Sequence, residues 1–247
     1  MYKFILLDLD ETIWDFKAAE HRAFEETMLE HGIPVTPEIA AFYNVTNQGL
    51  WKALERKEVT KDELKCVRFE RTYNKALELF QDASLPPLGP DTGKVINQTY
   101  MERLSHLGIM LDGAEDFLRS LSLLRKKKNF GVYFITNGTA ITAHGRIAAS
   151  GVDQYVDGAF ISDDIGVEKP DVKFFNYVTN ALMEGDSGKY LVIGDSLTSD
   201  IQGAENAGMD SVLFAYYGKF PEGHENHNTT YKATSYDEIL SIIDSNT

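Results

Sequence analysis

Cysteine is almost absent from this chain: Cys66 stands alone in 247 residues. One thiol excludes an intrachain disulfide framework and suits a reducing compartment. Cationic residues are in deficit. There are 24 Lys and Arg against 38 Asp and Glu, a formal net charge of −14. A nucleic-acid backbone demands clustered cations, so this balance argues against a nucleic-acid partner. It leaves small anionic substrates open, because a bound metal and one lysine can reverse the field inside a cleft. No apolar run approaches the ~20 residues of a transmembrane helix. No membrane association is expected, and nothing implies an obligate protein partner. The chain enters a strand directly, without a secretory signal pattern, and a cytoplasmic location is the expectation. No His pair, His224 and His227 included, has the companions of a zinc site. What the chain does have is a 43% apolar composition, enough for a real core. Its length fits one large α/β domain, or a core with a smaller insert.

The most informative stretch is Phe4-Ile5-Leu6-Leu7-Asp8-Leu9-Asp10-Glu11-Thr12. Its apolar run reads as a strand buried on both faces. Positions i and i+2 of extended chain point the same way, so Asp8 and Asp10 are expected at one crevice beyond the strand. Two carboxylates that close repel each other. A cation would hold them, and an oxygen-rich site suits Mg²⁺.

From Asp15 the pattern is helical as far as His106. Ala19, Ala23, Phe24, Met28 and Leu29 line one side of a first helix that Gly32 stops. Thr36-Pro37 opens a second. Thr60-Lys61-Asp62-Glu63 is a capping box for a third. The Pro-rich break Leu85-Pro86-Pro87-Leu88-Gly89-Pro90 precedes a fourth, from about Asp91. No strand-like alternation appears across this insert.

After Leu111 a βα rhythm begins. Asp112-Gly113-Ala114-Glu115 is read as the cap of a helix to Lys128, whose run Arg125-Lys126-Lys127-Lys128 complements the dipole. Val132-Tyr133-Phe134-Ile135 is a buried strand ending in Thr136-Asn137-Gly138. A hydroxyl and an amide there, with helix N–H groups beyond, form a ready anion site. Ala159-Phe160-Ile161 is another strand. In Glu168-Lys169-Pro170, Pro170 is expected to start a helix. A cation held just before a helix N-terminus opposes the dipole unless an anion shares the place, so Lys169 is marked as functional. Tyr190-Leu191-Val192-Ile193 runs into Gly194-Asp195-Ser196-Leu197-Thr198-Ser199-Asp200. Strand Ser211–Phe214, a Gly- and His-containing loop and a helix from Ser235 complete the chain.

DLDET, TNG, EKPD and GDSLTSD, in this order and each after a strand, resemble the four motifs of the haloacid dehalogenase superfamily of phosphohydrolases. The resemblance implies a Rossmann-like parallel sheet with helices on both faces, residues 1–14 and 107–247, and an inserted all-helical cap, residues 15–106. It implies Asp8 as nucleophile and Asp10 as general acid/base. Thr136 and Lys169 would be the other catalytic groups, and Thr136, Asn137 and Lys169 would hold the phosphate. Mg²⁺ would be bound by Asp8, the Asp10 backbone carbonyl and Asp195, with Asp200 behind them orienting waters or Lys169. Glu11 departs from the glycine commonest in the superfamily. Asn47-Gln48-Gly49-Leu50-Trp51 and Arg68-Phe69 resemble cap features of the pyrimidine 5'-nucleotidase branch, which makes Asn47, Trp51 and Arg68 candidate substrate contacts. Without that branch, Trp51 reads as a core aromatic and Arg68 as a surface salt bridge. The expected activity is a Mg²⁺-dependent phosphomonoesterase acting on a small phosphorylated metabolite, a nucleoside 5'-monophosphate first. Phosphoglycolate or sugar phosphates, a sugar-phosphate mutase and a non-catalytic module on this fold stay open.

Overall fold

The computed structural model describes residues 1–80, 85, 89 and 91–247. The Pro-rich break expected at 85–90 lies largely outside the described residues. Backbone proximity divides the chain into two compact units, residues 1–19 with 105–247, and residues 20–104.

The larger unit is built on a six-stranded, all-parallel sheet. In chain order the strands are β1 (Phe4–Asp8), β2 (Gly131–Thr136), β3 (Gly158–Ile161), β4 (Tyr190–Gly194), β5 (Asp210–Phe214) and β6 (Tyr231–Ala233). In space the order is β3-β2-β1-β4-β5-β6. Strand β1 lies between β2 and β4, with Asp8 opposite Ile135 and Leu7 opposite Ile193. The connections leave β1 in opposite directions on its two sides, and such a switch point opens a crevice beyond the carboxyl ends of the strands. Asp8 is the last residue of β1 and therefore stands there.

Both faces of the sheet are covered, and alternation shows it. Ile5, Leu7, Val132, Phe134, Leu191, Ile193, Val212 and Phe214 pack into one apolar layer. Leu6, Ile135, Tyr190 and Val192 pack into the opposite one. Side chains of successive strand residues point to opposite faces, so a strand with cover on both sides must be apolar at every position. The four-residue runs in the sequence reflect that.

The chain's helices, in chain order, are α1 (Phe16–Glu30), α2 (Pro37–Glu55), α3 (Lys61–Phe80), α4 (Thr92–Ser105), α5 (Ala114–Lys128), α6 (Ala140–Ser150), α7 (Ser162–Ile165), α8 (Val172–Ala181), α9 (Gln202–Ala207) and α10 (Tyr236–Asn246). Helices α5 and α10 supply Phe117, Leu118, Leu121, Ile239 and Ile243 to the first layer. Helices α8 and α9 supply Phe174, Phe175, Val178 and Ala204 to the second.

Three local expectations are corrected. Asp112 does not cap α5: the N-cap position is Gly113, left-handed at φ 80°, with no side-chain cap. Pro170 does not start a helix. Asp171 caps α8 by accepting from the N–H of Lys173, so Lys169 stands clear of the helix end. The loop after β5 contains β6, whose three residues are too few to show alternation. Asp163 and Asp164 fall in the short helix α7.

Among the described residues the smaller unit has helices and no strand. Thr36 caps α2 through its hydroxyl. Thr60 and Glu63 form the reciprocal capping box of α3, with bonds of 3.2 Å and 2.8 Å. Its core is a ladder of rings: Phe24 stacks on Tyr43 at 4.1 Å, Tyr43 on Phe69 at 5.6 Å, and Phe69 meets Tyr100 at 5.3 Å.

Candidate active site

Lys169 is the centre of the crevice. Its Nζ donates to Asp8 Oδ1 at 2.6 Å, to Asp200 Oδ1 at 2.6 Å and to the Ile135 carbonyl at 3.2 Å. An ammonium has three donors, so all are used. Only 2% of the residue is exposed. Burial alone would push its pKa down; Asp200 and Asp8 outweigh that and hold it above the ordinary value. The lysine is therefore a permanent cation. Its place is explained by this pairing rather than by a helix terminus.

The carboxylates outnumber it. Oxygen atoms of Asp8, Asp195 and Asp200 lie within 4.8 Å of one another, the one such metal-ligand group among the described residues. Burial, then Asp200, raises the Asp8 carboxyl well above the usual range, with Lys169 opposing. Burial, Asp200 and Glu11 push Asp195 up to about 7. Three carboxylates against one ammonium leave the cluster short of positive charge, and a hard divalent ion with oxygen ligands fits that deficit. Asp8 Oδ1 is committed to Lys169, and no described residue donates to Oδ2, which leaves that oxygen unengaged.

Asp200 is held from two sides. Its Oδ2 accepts from the N–H of Ser196 at 3.1 Å while Oδ1 takes Lys169. It lies in a π-helical turn, Leu197–Ile201, capped by Ser196. A Cβ at Gly194 would overlap the Asp200 carboxylate, so only glycine lets strand β4 end this close.

Thr136 ends β2, and its hydroxyl oxygen accepts from the Gly138 N–H at 3.0 Å. The hydroxyl hydrogen remains for another acceptor. The Asn137 side chain bonds the backbone of Lys169. Its Nδ2 donates to the Lys169 carbonyl at 2.8 Å and its Oδ1 accepts from the Lys169 N–H at 2.9 Å. The amide is spent on the backbone of the lysine, so its side chain ties β2's end to the Lys169 loop. A phosphate role for Asn137 is left to its backbone.

Asp10 lies just outside β1, in a turn closed on itself: Thr12, Ile13 and Trp14 all donate to the Leu9 carbonyl. Arg146 Nη1 donates to Asp10 Oδ1 at 2.5 Å. That arginine carried no visible signal in the sequence, being one cation on a helix. Glu11 sits at φ 58°. A left-handed position suits glycine, and any other residue costs roughly 1 kcal/mol there. Glu11 offsets this by accepting from the Lys17 backbone N–H at 3.1 Å and from its ammonium at 2.5 Å.

In the helical unit, two of the three candidate substrate residues are internal. Arg68 is buried, donates to Asn47 Oδ1 at 3.3 Å and Asn97 Oδ1 at 2.8 Å, and lies over the rings of Tyr100 and Phe69. Asn47 Nδ2 donates to Glu20 at 2.8 Å. Arg68 is thus no surface salt bridge. Trp51 is no core aromatic either, being 45% exposed.

The haloacid dehalogenase-like hydrolase family matches residues 2–208. The chain is 35% identical to the pyrimidine 5'-nucleotidase PynA of Streptococcus pneumoniae, over 99% of this chain and 96% of that one. It is 27% identical to the pyrimidine 5'-nucleotidase YjjG of Escherichia coli, over 98% of each. Among solved structures it is similar to the putative HAD-hydrolase YfnB from Bacillus subtilis bound to magnesium, with a TM-score of 0.83, 32% identity, and 98% and 99% of the two chains covered. Likeness of that extent, on a sheet whose central strand ends in a lysine-held aspartate, makes the chain a member of the haloacid dehalogenase-like hydrolases.

Proposed function

We propose that the chain is a Mg²⁺-dependent phosphomonoesterase that works through a phosphoryl group carried on Asp8, with nucleoside 5'-monophosphates as its substrates. The observation that carries the chemistry is the buried Asp8 at the end of β1, clamped by Lys169 beside an excess of carboxylate charge. The substrate class is supported by the PynA and YjjG relatives, both pyrimidine 5'-nucleotidases matched over nearly their whole lengths.

Asp8, the Asp10 carbonyl and Asp195 would hold Mg²⁺, which supplies charge neutralisation as one anion approaches another. The free oxygen of Asp8 attacks phosphorus, the bond to the ester oxygen breaks, and an aspartyl-phosphate forms. Asp10 gives a proton to the departing alkoxide. In the second half Asp10 takes a proton from water, which attacks phosphorus; the Asp8 carboxylate and inorganic phosphate are released. Lys169 pairs with Asp8 Oδ1 and orients the carboxyl, opposing the rise that burial and Asp200 impose on it. To reach a phosphoryl oxygen as well, its Nζ must share one of its three bonds, and the one to Ile135 is the longest. The Thr136 hydroxyl hydrogen is a second donor to that oxygen.

A phosphate-release screen tests the reading, with nucleoside monophosphates, hexose phosphates and phosphoglycolate, each with MgCl₂ and with excess EDTA. Pyrimidine monophosphates should lead, and EDTA should abolish release. Faster turnover of phosphoglycolate or a hexose phosphate would overturn the nucleotide assignment. Full turnover in EDTA would overturn the metal assignment.

A further inference from the structure

We propose that Arg146 is the positioning residue for Asp10: it fixes the carboxylate that exchanges a proton with the leaving group. The inference rests on the reading of Asp10 as that proton donor and acceptor. Asp10 is not part of the strand, and a third of its side chain is exposed, so the turn alone does not hold its carboxylate. A proton-transfer group must sit within hydrogen-bond reach of its target, and a misplacement of about 1 Å can cost about 100-fold.

Arg146 supplies the missing restraint, from 136 residues away in sequence. Its side chain is 3% exposed. Nη1 bonds Asp10 and Nε donates to the Leu107 carbonyl at 3.2 Å. Its guanidinium carbon is 4.1 Å from the Trp14 ring centroid and 5.4 Å from that of Phe16. Trp14 belongs to the turn that carries Asp10, since Glu11 donates to the Trp14 carbonyl at 2.8 Å. The arginine therefore grips that turn twice, once by charge on Asp10 and once by stacking on Trp14.

The backbone is arranged for this approach. A Cβ at Gly145 would lie 2.6 Å from the Ser105 carbonyl, and one at Gly108 would lie 2.8 Å from the Arg146 carbonyl. Both glycines are needed for α6 to press on the 105–108 segment and deliver Arg146 to Asp10. Nη2 is buried without a hydrogen-bond partner among the described residues. Burying a donor unpaired is costly, about 1–3 kcal/mol. A purely structural arginine would be expected to have it satisfied; here it is a spare donor on the group that already holds the Asp10 carboxylate.

The test compares Arg146→Met, Arg146→Lys and Asp10→Asn on two substrates. A nucleoside 5'-monophosphate expels a basic alkoxide that needs a proton, and p-nitrophenyl phosphate expels a phenolate that does not. The readout is kcat/KM, which covers attack by Asp8 and loss of the leaving group. Arg146→Met should lower kcat/KM for the nucleotide by about 100-fold or more, the scale of general acid catalysis. It should lower that for p-nitrophenyl phosphate far less. Arg146→Lys, which keeps a donor, should recover part of the loss. Combining Arg146→Met with Asp10→Asn should cost no more than Asp10→Asn alone. Thermal melts on the same variants show which remain folded, and the lysine variant keeps the comparison available if the methionine variant does not fold. Equal losses on both substrates, with Asp10→Asn still discriminating between them, would overturn the positioning role alone. No discrimination by Asp10→Asn would overturn the role of Asp10 and this inference with it.

Discussion

Lys169 and Asp200, 31 residues apart, form a 2.6 Å ion pair in which each side chain is 1% exposed. A lysine does not enter such an interior alone, because its desolvation must be offset by a charge that stays put. With Asp8 proposed as the partner that reacts, Asp200 is the one that stays.

Asp200→Asn keeps the shape but removes that charge and leaves one acceptor oxygen for two donors, the Ser196 N–H and Lys169 Nζ. Activity should fall about 10–100-fold, the usual scale for a residue behind the reacting group, and the melting temperature should fall with it. Steady-state kinetics and a thermal melt check both. Unchanged kcat/KM would mean that Asp8 alone suffices to place the lysine.

Asp8→Asn should abolish turnover and leave the fold intact, since it removes one charge from a cluster with too many. Circular dichroism and phosphate release on freshly purified protein read the two effects. Activity above a trace, once deamidation back to aspartate is excluded by mass spectrometry, would end the nucleophile assignment.

The metal and pH should act together. Asp195 titrates at about 7 when folded, against an ordinary value of 3.8. Between those values the folded protein binds more protons than the unfolded chain, so without metal its stability falls as pH rises from about 4 to about 7. Asp8 is raised and acts with the same sign. Lys169 is raised above 10.5, so its contribution is complete below that pH and constant across this window. A divalent ion binds the ionised carboxylates, so MgCl₂ should lift the melting temperature more at pH 7.5 than at pH 5.5. At 100 times Kd the gain is about 2.7 kcal/mol, roughly 5–10 °C for a chain of this size. An equal lift at both pH values would show that the ion binds elsewhere.

The helical unit separates packing from recognition. Arg68→Met strands the polar groups of Asn47 and Asn97, at a cost of about 1–3 kcal/mol, and should lower the melting temperature. Trp51→Ala changes an exposed residue and should move stability by no more than about 0.5 kcal/mol. If Trp51 stacks on a base, the same variant lowers kcat/KM for a nucleotide and spares p-nitrophenyl phosphate. Equal effects on both substrates would remove Trp51 from recognition.

By itself the sequence determined what local pattern can encode. The apolar runs of β1, β2 and β4 declared strands covered on both faces, and Thr36 and Thr60 declared helix starts. The order of carboxylates, hydroxyl and lysine after those strands declared the chemistry. Tertiary structure alone decided how those groups are shared out. The Asn137 side chain braces the Lys169 backbone, Arg68 went inside and Trp51 outside, and Arg146 was drawn to Asp10 across 136 residues. Strand and cap signals are written in neighbouring residues, whereas a buried charge takes as its partner whatever the packing brings within about 3 Å. That choice is made between segments far apart in the chain, where no spacing rule reaches.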